Sequence, residues 1–344
     1  MICLAGAALG IYWHRQRRPL AGASAGEAPD LLSQIPWDAP VIAYVDVARL
    51  RALENSPLAA VLGLTAPGPQ QDPGYSAFVA NSGFDYMRDL DRAALAVWPT
   101  SLGSVQGQPP AGRTLAIGDG RFDQQKITAY ALRNGWDERS HSLLEFPGPP
   151  PAKSFFLRFV SVNRAALSNE EALLETPANA AGGNRDPALR ERIERVAGAP
   201  IFGVARTDNL PPSFYSSFRS WPQLERLIRS VRSVTLAGKP ASDDIKFTLD
   251  GDCDSMSSAF QVATLLEGFR IIASAALADP KSTRELTREQ AAFLGELLKR
   301  LKVDHQNHWV RLTLEITPAM LAAPAATAGR APTRGGASPA RPGR

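Results

Sequence analysis

The stretch APVIAYVDVARL, Ala39–Leu50, decides how this chain is read. Val41, Ile42, Tyr44 and Val45 form a short apolar, β-branched and aromatic run, which predicts a buried strand. VARLRAL follows at once and predicts a short helix. A matching stretch lies far along the chain: APIFGVARTDNL, Ala199–Leu210, keeps the Ala-Pro start, the final Leu and the apolar positions between. LAVWP at Leu95 is echoed by LAGKP at Leu236, and DGRFD (Asp119–Asp123) by DGDCD (Asp250–Asp254). Matches that recur in the same order predict a duplicated unit.

Working outward in the first half, YSAFVANSG predicts a helix closed by Gly83, LDRAALAVWP a strand ended by Pro99, and RTLAIGDG a third strand. FDQQKITAYALRNG predicts a helix capped by Asp123 and closed by Asn134 and Gly135. HSLLEF and SFFLRFVSV form an antiparallel pair around PGPPPAK, and AALSNEEALLE turns into another helix. In the second half PQLERLIRSV is a helix with Leu224, Leu227, Ile228 and Val231 inward, and DIKFTL a strand. SSAFQVATLLEGFRIIASAAL is a long helix, and TREQAAFLGELLKRL a helix with Thr287 and Gln290 as its capping box. VDHQNHWVRLTLEI predicts a hairpin with Val310, Leu312, Leu314 and Ile316 toward the core.

The expected fold class is α+β: two related halves, each a mostly antiparallel sheet packed with helices, behind an N-terminal membrane helix. The organisation is an anchor over 1–18, a linker over 19–35, a first half over 36–177, a linker over 178–194, a second half over 195–321, and an Ala/Pro/Arg-rich tail over 322–344 too poor in large apolar groups to fold.

The 344 residues are 44% apolar, enough for a sizeable core. The formal charge of +4 lies at the tips. Arg330, Arg334, Arg341 and Arg344 sit in the tail and Arg15, Arg17 and Arg18 in the head; removing those four and three leaves the body near −3. A folded part without excess positive charge argues against nucleic-acid binding, which draws its affinity from neutralised phosphates. The two cysteines, Cys3 and Cys253, allow neither a disulfide framework nor a CxxC redox pair.

ICLAGAALGIYW, Ile2–Trp13, is uninterrupted apolar sequence ending in two aromatic rings and followed by HRQRRP. Aromatics at the headgroup level with arginines beyond them mark the end of a membrane helix. Twelve residues at ~1.5 Å each reach about 18 Å, short of a hydrocarbon core of about 30 Å, so the expectation is an anchor that has lost its first turns. A cleavable leader would carry its charge before the apolar run. The lipid bilayer is thus the first expected partner, and the expected location is the bacterial inner membrane with a periplasmic body; arginines after the helix allow the opposite orientation.

Three aspartates alternate around Cys253: Asp250, Asp252 and Asp254. A calcium loop starting at Asp250 needs glycine at its sixth position and a carboxylate at its twelfth, where Ser255 and Gln261 stand. The three remain weak metal candidates. The match to DGRFD gives the other reading, a strand-to-helix corner in which Asp254 caps its helix as Asp123 does, with Cys253 buried in the slot of Phe122. His305 and His308, with Gln306-Asn307 as a two-residue turn, would face each other across a hairpin; two ligands fall short of a structural zinc site. SFYSSFRSW places Phe214, Tyr215, Phe218 and Trp221 on one helix side, a stripe that is core or, if exposed, a surface for a protein or bilayer partner. SxxK, GxxxxGK[ST], GxGxxG and HExxH are missing, and GxSxG occurs only as GASAG (Gly22–Gly26) in the small-residue linker, not at a strand-to-helix elbow. No catalytic, metal or cofactor residue is therefore assigned.

APVIAYVDVARL, SFFLRFVSVNRAAL with its following SNEEAL helix, and HWVRLTLEITPAML together resemble a group of uncharacterised bacterial membrane-anchored proteins with a duplicated α+β domain. The resemblance covers most of Pro36–Leu321 and implies no catalytic residue. The functional expectation is a membrane-tethered envelope protein with a non-enzymatic scaffold or binding role, and an envelope protein is the further candidate partner. The alternative is a hydrolase or metal-dependent enzyme whose dispersed residues meet in a groove between the halves.

Overall fold

The computed structural model describes residues 31–52, 73–100, 112–140, 142–147, 154–175, 187–210, 212, 215, 222–241, 244–279, 287–317 and 320. The expected anchor, Ile2–Trp13, the flanking arginines and the tail lie outside them. Twelve strands form one sheet: β1 (Val41–Asp46), β2 (Leu90–Pro99), β3 (Gly112–Gly120), β4 (Asp137–Ser140), β5 (Leu143–Pro147), β6 (Ser154–Ser161), β7 (Arg164–Ser168), β8 (Ile201–Arg206), β9 (Val231–Ala241), β10 (Asp244–Cys253), β11 (Lys302–Gln306) and β12 (Trp309–Ile316). Their spatial order is β11-β12-β10-β9-β8-β1-β2-β3-β7-β6-β5-β4, and every neighbouring pair described is antiparallel. The chain is therefore α+β with a large antiparallel sheet.

One expectation changes here. The halves do not carry separate sheets with a groove between them; β1 hydrogen-bonds to β8, with Val41 opposite Ala205 and Val45 opposite Ile201. Both strands lack charge over most of their length and are flanked on each side by further strands, so their pairing leaves no unsatisfied edge at the centre of the sheet. The sheet also gains β4, which is exposed and charged and carries no apolar alternation from which a strand could be read.

Nine helices stand among the described residues: α1 (Val47–Ala52), α2 (Pro73–Ser82), α3 (Tyr86–Asp89), α4 (Gln124–Arg133), α5 (Ala172–Glu175), α6 (Pro187–Val196), α7 (Pro222–Arg229), α8 (Met256–Ala278) and α9 (Arg288–Arg300). The two-residue period of strands assigns them to faces. Ile42, Tyr44, Phe202, Val204, Leu115, Ile117 and Ala166 meet Leu189, Ile193 and Val196 of α6 and the turn at Leu31–Ile35 in the main core. Ala165, one residue from Ala166, instead joins Ile127 and Ala131 of α4, so α4 lies on the opposite face. Cys253, Val310 and Leu312 likewise join Ala259 and Ala263, placing α8 on that same opposite face.

Local signals hold where they are strongest. Gly83 and Gly135 close α2 and α4 with φ of +72° and +78°, values that a side chain would strain. Asp123 caps α4 by accepting from the Lys126 amide, and Thr287 and Gln290 form the full capping box of α9.

Candidate functional site

The corner from β10 to α8 holds the aspartate cluster. Asp250 and Asp252 leave β10 on the α6 face. Arg311, directly opposite on β12, grips Asp250 through two bonds of 2.6 and 2.8 Å. The Asp252 carboxylate, nearly buried, is held by Arg192 from α6, and His308 Nε2 stands 3.6 Å from its other oxygen. Asp254 lies beyond the strand and accepts from Arg232 at 2.7 Å, which raises the Arg232 pKa. Each carboxylate thus has its own guanidinium. Among the described residues no three His, Cys, Asp or Glu side chains gather as a metal ion would require.

Asp254 does not cap α8. Ser255 does, with its hydroxyl accepting from the Ser258 amide; Arg232 draws the aspartate away, and serine caps a helix equally well. Cys253 is 2% exposed. Burial first, then the neighbouring charges of Asp252 and Asp254, push its thiol up to about 11, so at neutral pH it stays protonated and is no nucleophile.

The histidines also sit differently from expectation. The hairpin turn is Asn307-His308, with Asn307 at φ +52°, and Gln306 faces Trp309. Asparagine tolerates this left-handed backbone better than glutamine, which moves the turn by one residue. His305 therefore lies opposite Val310, with its ring 5.5 Å from Phe260 on α8.

Two open hollows flank this hairpin. One, of about 500 Å³, is lined by Asp250, Asp304, His305, Trp309 and Arg311, with Arg195 stacked 4.8 Å from the Trp309 ring. The other, of about 470 Å³, is lined by Arg232, Asp252, Cys253, Asp254 and His308. The first-half counterparts are remote. Asp119 is on β3, five strand spacings from β10 in the sheet, or about 24 Å. It is held there by Arg164 and Arg92, and Asp123 is occupied as a cap. The five aspartates do not converge.

Of the aromatic stripe, Tyr215 is described and is 5% exposed. Its hydroxyl donates to the Thr207 carbonyl, and the Arg229 guanidinium covers its ring at 3.9 Å. It is core, and no partner can reach it. Phe214, Phe218 and Trp221 lie outside the residues whose side chains are described.

The surface that stands out is the outer side of α8, where the sequence reading assigned no site residue. Its inner side presents Ala259 and Ala263, small enough for the helix to sit close on β10 and β12, with Val262 and Leu266 beside them. Its outer side exposes Met256 (66%), Phe260 (56%), Phe269, Ile271 (57%) and Ile272 (66%). Over 23 residues its charges are Glu267 and Arg270, which pair with each other. This helix is long and apolar enough to cross a membrane, yet only 6% of its apolar window is buried. A helix apolar all round is normally buried in a core or a bilayer; α8 lies on the surface. The signal was legible in the composition of SSAFQVATLLEGFRIIASAAL, whose polar residues at Ser257, Gln261 and Thr264 are too few to cover an outward face.

No protein-family model matches the chain, and no curated protein matches it. Among solved structures it is similar to crystal form I of TP0453, at 10% identity and a TM-score of 0.44, over 86% of this chain and 97% of that one. Crystal forms IV and III of TP0453 give 9% and 12% identity, each with a TM-score of 0.41, over 87% and 86% of this chain and 98% of theirs. Likeness at this level carries no argument about fold or function.

Proposed function

We propose that this chain is a membrane-tethered, non-enzymatic binding or scaffold protein of the bacterial envelope, built from two copies of one α+β unit, with the outer face of α8 as its contact surface. The observation that carries the reading is that face: large apolar side chains held in water on a folded domain. Burying each would contribute about 1.5–3 kcal/mol, and exposed apolar patches of this kind mark contact sites. The tether rests on the apolar run Ile2–Trp13 and the arginines after it.

Duplication is supported by the chain path. The order β1-β2-β3 then β7-β6 recurs as β8-β9-β10 then β12-β11. The cross-strand pair Asp119–Arg164 recurs as Asp250–Arg311, each bidentate. At the centre Ala43 faces Gly203, its own counterpart in the two aligned stretches, as a twofold axis between like units requires. The enzyme alternative has less behind it: Asp119 lies across the sheet from Asp250, Asp252 and Asp254, and each of these four carboxylates is paired with an arginine.

The test is membrane extraction of the full chain with a reporter fused to its C-terminus. The expected result is retention in the membrane pellet through alkaline carbonate and reporter activity confined to the periplasm. Release into the carbonate supernatant would sink the tether, and cytoplasmic reporter activity the envelope assignment.

A further inference from the structure

Resting on that tethered reading, we propose that the occupant of the outer face of α8 is the surface of a lipid bilayer, the one that holds the N-terminal segment.

The polar groups of α8 argue for lipid over a protein. The Thr264 hydroxyl donates back to the Phe260 carbonyl and the Ser274 hydroxyl to the Arg270 carbonyl, each one turn earlier. Side chains satisfied on their own helix need no polar partner and tolerate hydrocarbon. Glu267 and Arg270 neutralise each other at 2.5 and 2.9 Å. A protein partner is recognised by an anchor in a pocket inside a polar, hydrogen-bonding rim. Here the large residues are strung along a helix about 34 Å long, separated by Ser257, Gln261, Thr264, Gly268 and Ala275. A bilayer surface asks for apolar area along an axis and for no particular shape.

The described structure begins at Leu31, packed on the face opposite α8. Residues 19–30 separate it from the arginines after the apolar run and span at most about 40 Å. Because Leu31 packs on the other face, a leaflet held by this tether meets α8 round the β11 edge of the sheet, beside which α8 packs.

The probe is a single environment-sensitive fluorophore on the full chain, attached at Ile272→Cys in a Cys3→Ser background; Cys253, buried and protonated, is left in place. Leu132→Cys, on the exposed end of α4, is the control. The chain is mixed with vesicles of equimolar phosphatidylethanolamine and phosphatidylglycerol, and flotation reads the tether separately. The expected result is flotation of both proteins, with a blue shift and quenching by spin-labelled lipid at 272 and neither at 132. Flotation with an unshifted signal at 272 overturns the proposal and leaves the tether standing. A blue shift at 272 that grows with protein concentration without vesicles assigns the face to a second copy and also overturns it. Failure to float removes tether and proposal together.

Discussion

The two strand-to-helix corners, DGRFD between β3 and α4 and DGDCD between β10 and α8, share a plan and differ in everything that surrounds it. In the first, Asp119 is nearly buried between Arg164 and Arg92, Asp123 caps the helix, and Phe122 stacks 5.0 Å from Phe84. In the second, Asp250 meets an exposed Arg311, Ser255 takes the cap, and the small Cys253 fills the aromatic's place beneath Ala259. The helices diverge accordingly. α4 turns Gln125, Lys126 and Arg133 to solvent, whereas α8 turns out Phe260, Ile271 and Ile272. One corner is interior architecture; the other carries the surface that we assign to contact. A small residue at the Cys253 position and alanines at 259 and 263 let α8 sit close on the sheet, with Val262 and Leu266 beside them, while Phe260, Ile271 and Ile272 stand on the outer side.

Asp119→Ala compared with Asp250→Ala should show the largest contrast. The first leaves Arg164, 16% exposed, without its carboxylate, for a loss of about 3–5 kcal/mol. The second frees an arginine that is 58% exposed and should cost about 0–1 kcal/mol. Urea unfolding of both variants reads the difference, and equal losses would break the assignment of interior and surface corners.

Gly120→Ala and Gly251→Ala follow. A Cβ at Gly120 would drive into the Asp89 carbonyl oxygen, a backbone atom that cannot swing aside; about 1–3 kcal/mol should be lost. At Gly251 the nearest atom is a Val231 methyl at 3.6 Å, and alanine should be tolerated within about 0.5 kcal/mol. The same unfolding curves decide this.

A smaller effect separates neighbours within the second corner. Ser255→Ala removes the cap of α8 and should cost about 0.5–2 kcal/mol, while Asp254→Ala breaks an exposed ion pair and should stay within about 0.5 kcal/mol. If Asp254→Ala proves the worse, the cap has been misassigned.

The smallest effect concerns pH. The Lys126 side chain, then its amide, hold the Asp123 pKa below the ordinary aspartate value. A depressed carboxylate adds stability above its unfolded pKa of about 3.9 and loses it as pH falls through the folded one. Asp123→Asn keeps the cap acceptor but not the titration, so its stability should fall less between pH 5 and pH 2 (about the window of that loss) than the parent's. Parallel acid limbs in the two proteins would show that Lys126 contributes nothing there.

What could be read without the structure was local. β1, β2, β3 and α4 follow from runs, prolines, glycines and a capping aspartate within a few residues of one another, and the α9 box from two residues three apart. The candidate site was legible only in part. The repeated Asp-Gly marked the corner, but Asp254 and Ser255 are adjacent and equally fit to cap; Arg232, twenty-two residues away, settles which one does. The turn at Asn307-His308 depended on a shift of one residue that hydrophobic alternation in β12 alone leaves open.

By itself the sequence determined the α+β class, most strand and helix cores, the repeated corner and the apolar composition of α8, since each follows from patterns of a few residues and their backbone preferences. Only the tertiary structure decided that both halves share one sheet through β1 and β8, that Arg192 and Arg311 neutralise the aspartates, that Tyr215 is core, and that α8 faces outward. Those outcomes depend on which distant residues meet. A contact across sixty or more residues leaves no periodic trace in the chain: it is set by sheet pairing and by which helix face the sheet has room to bury.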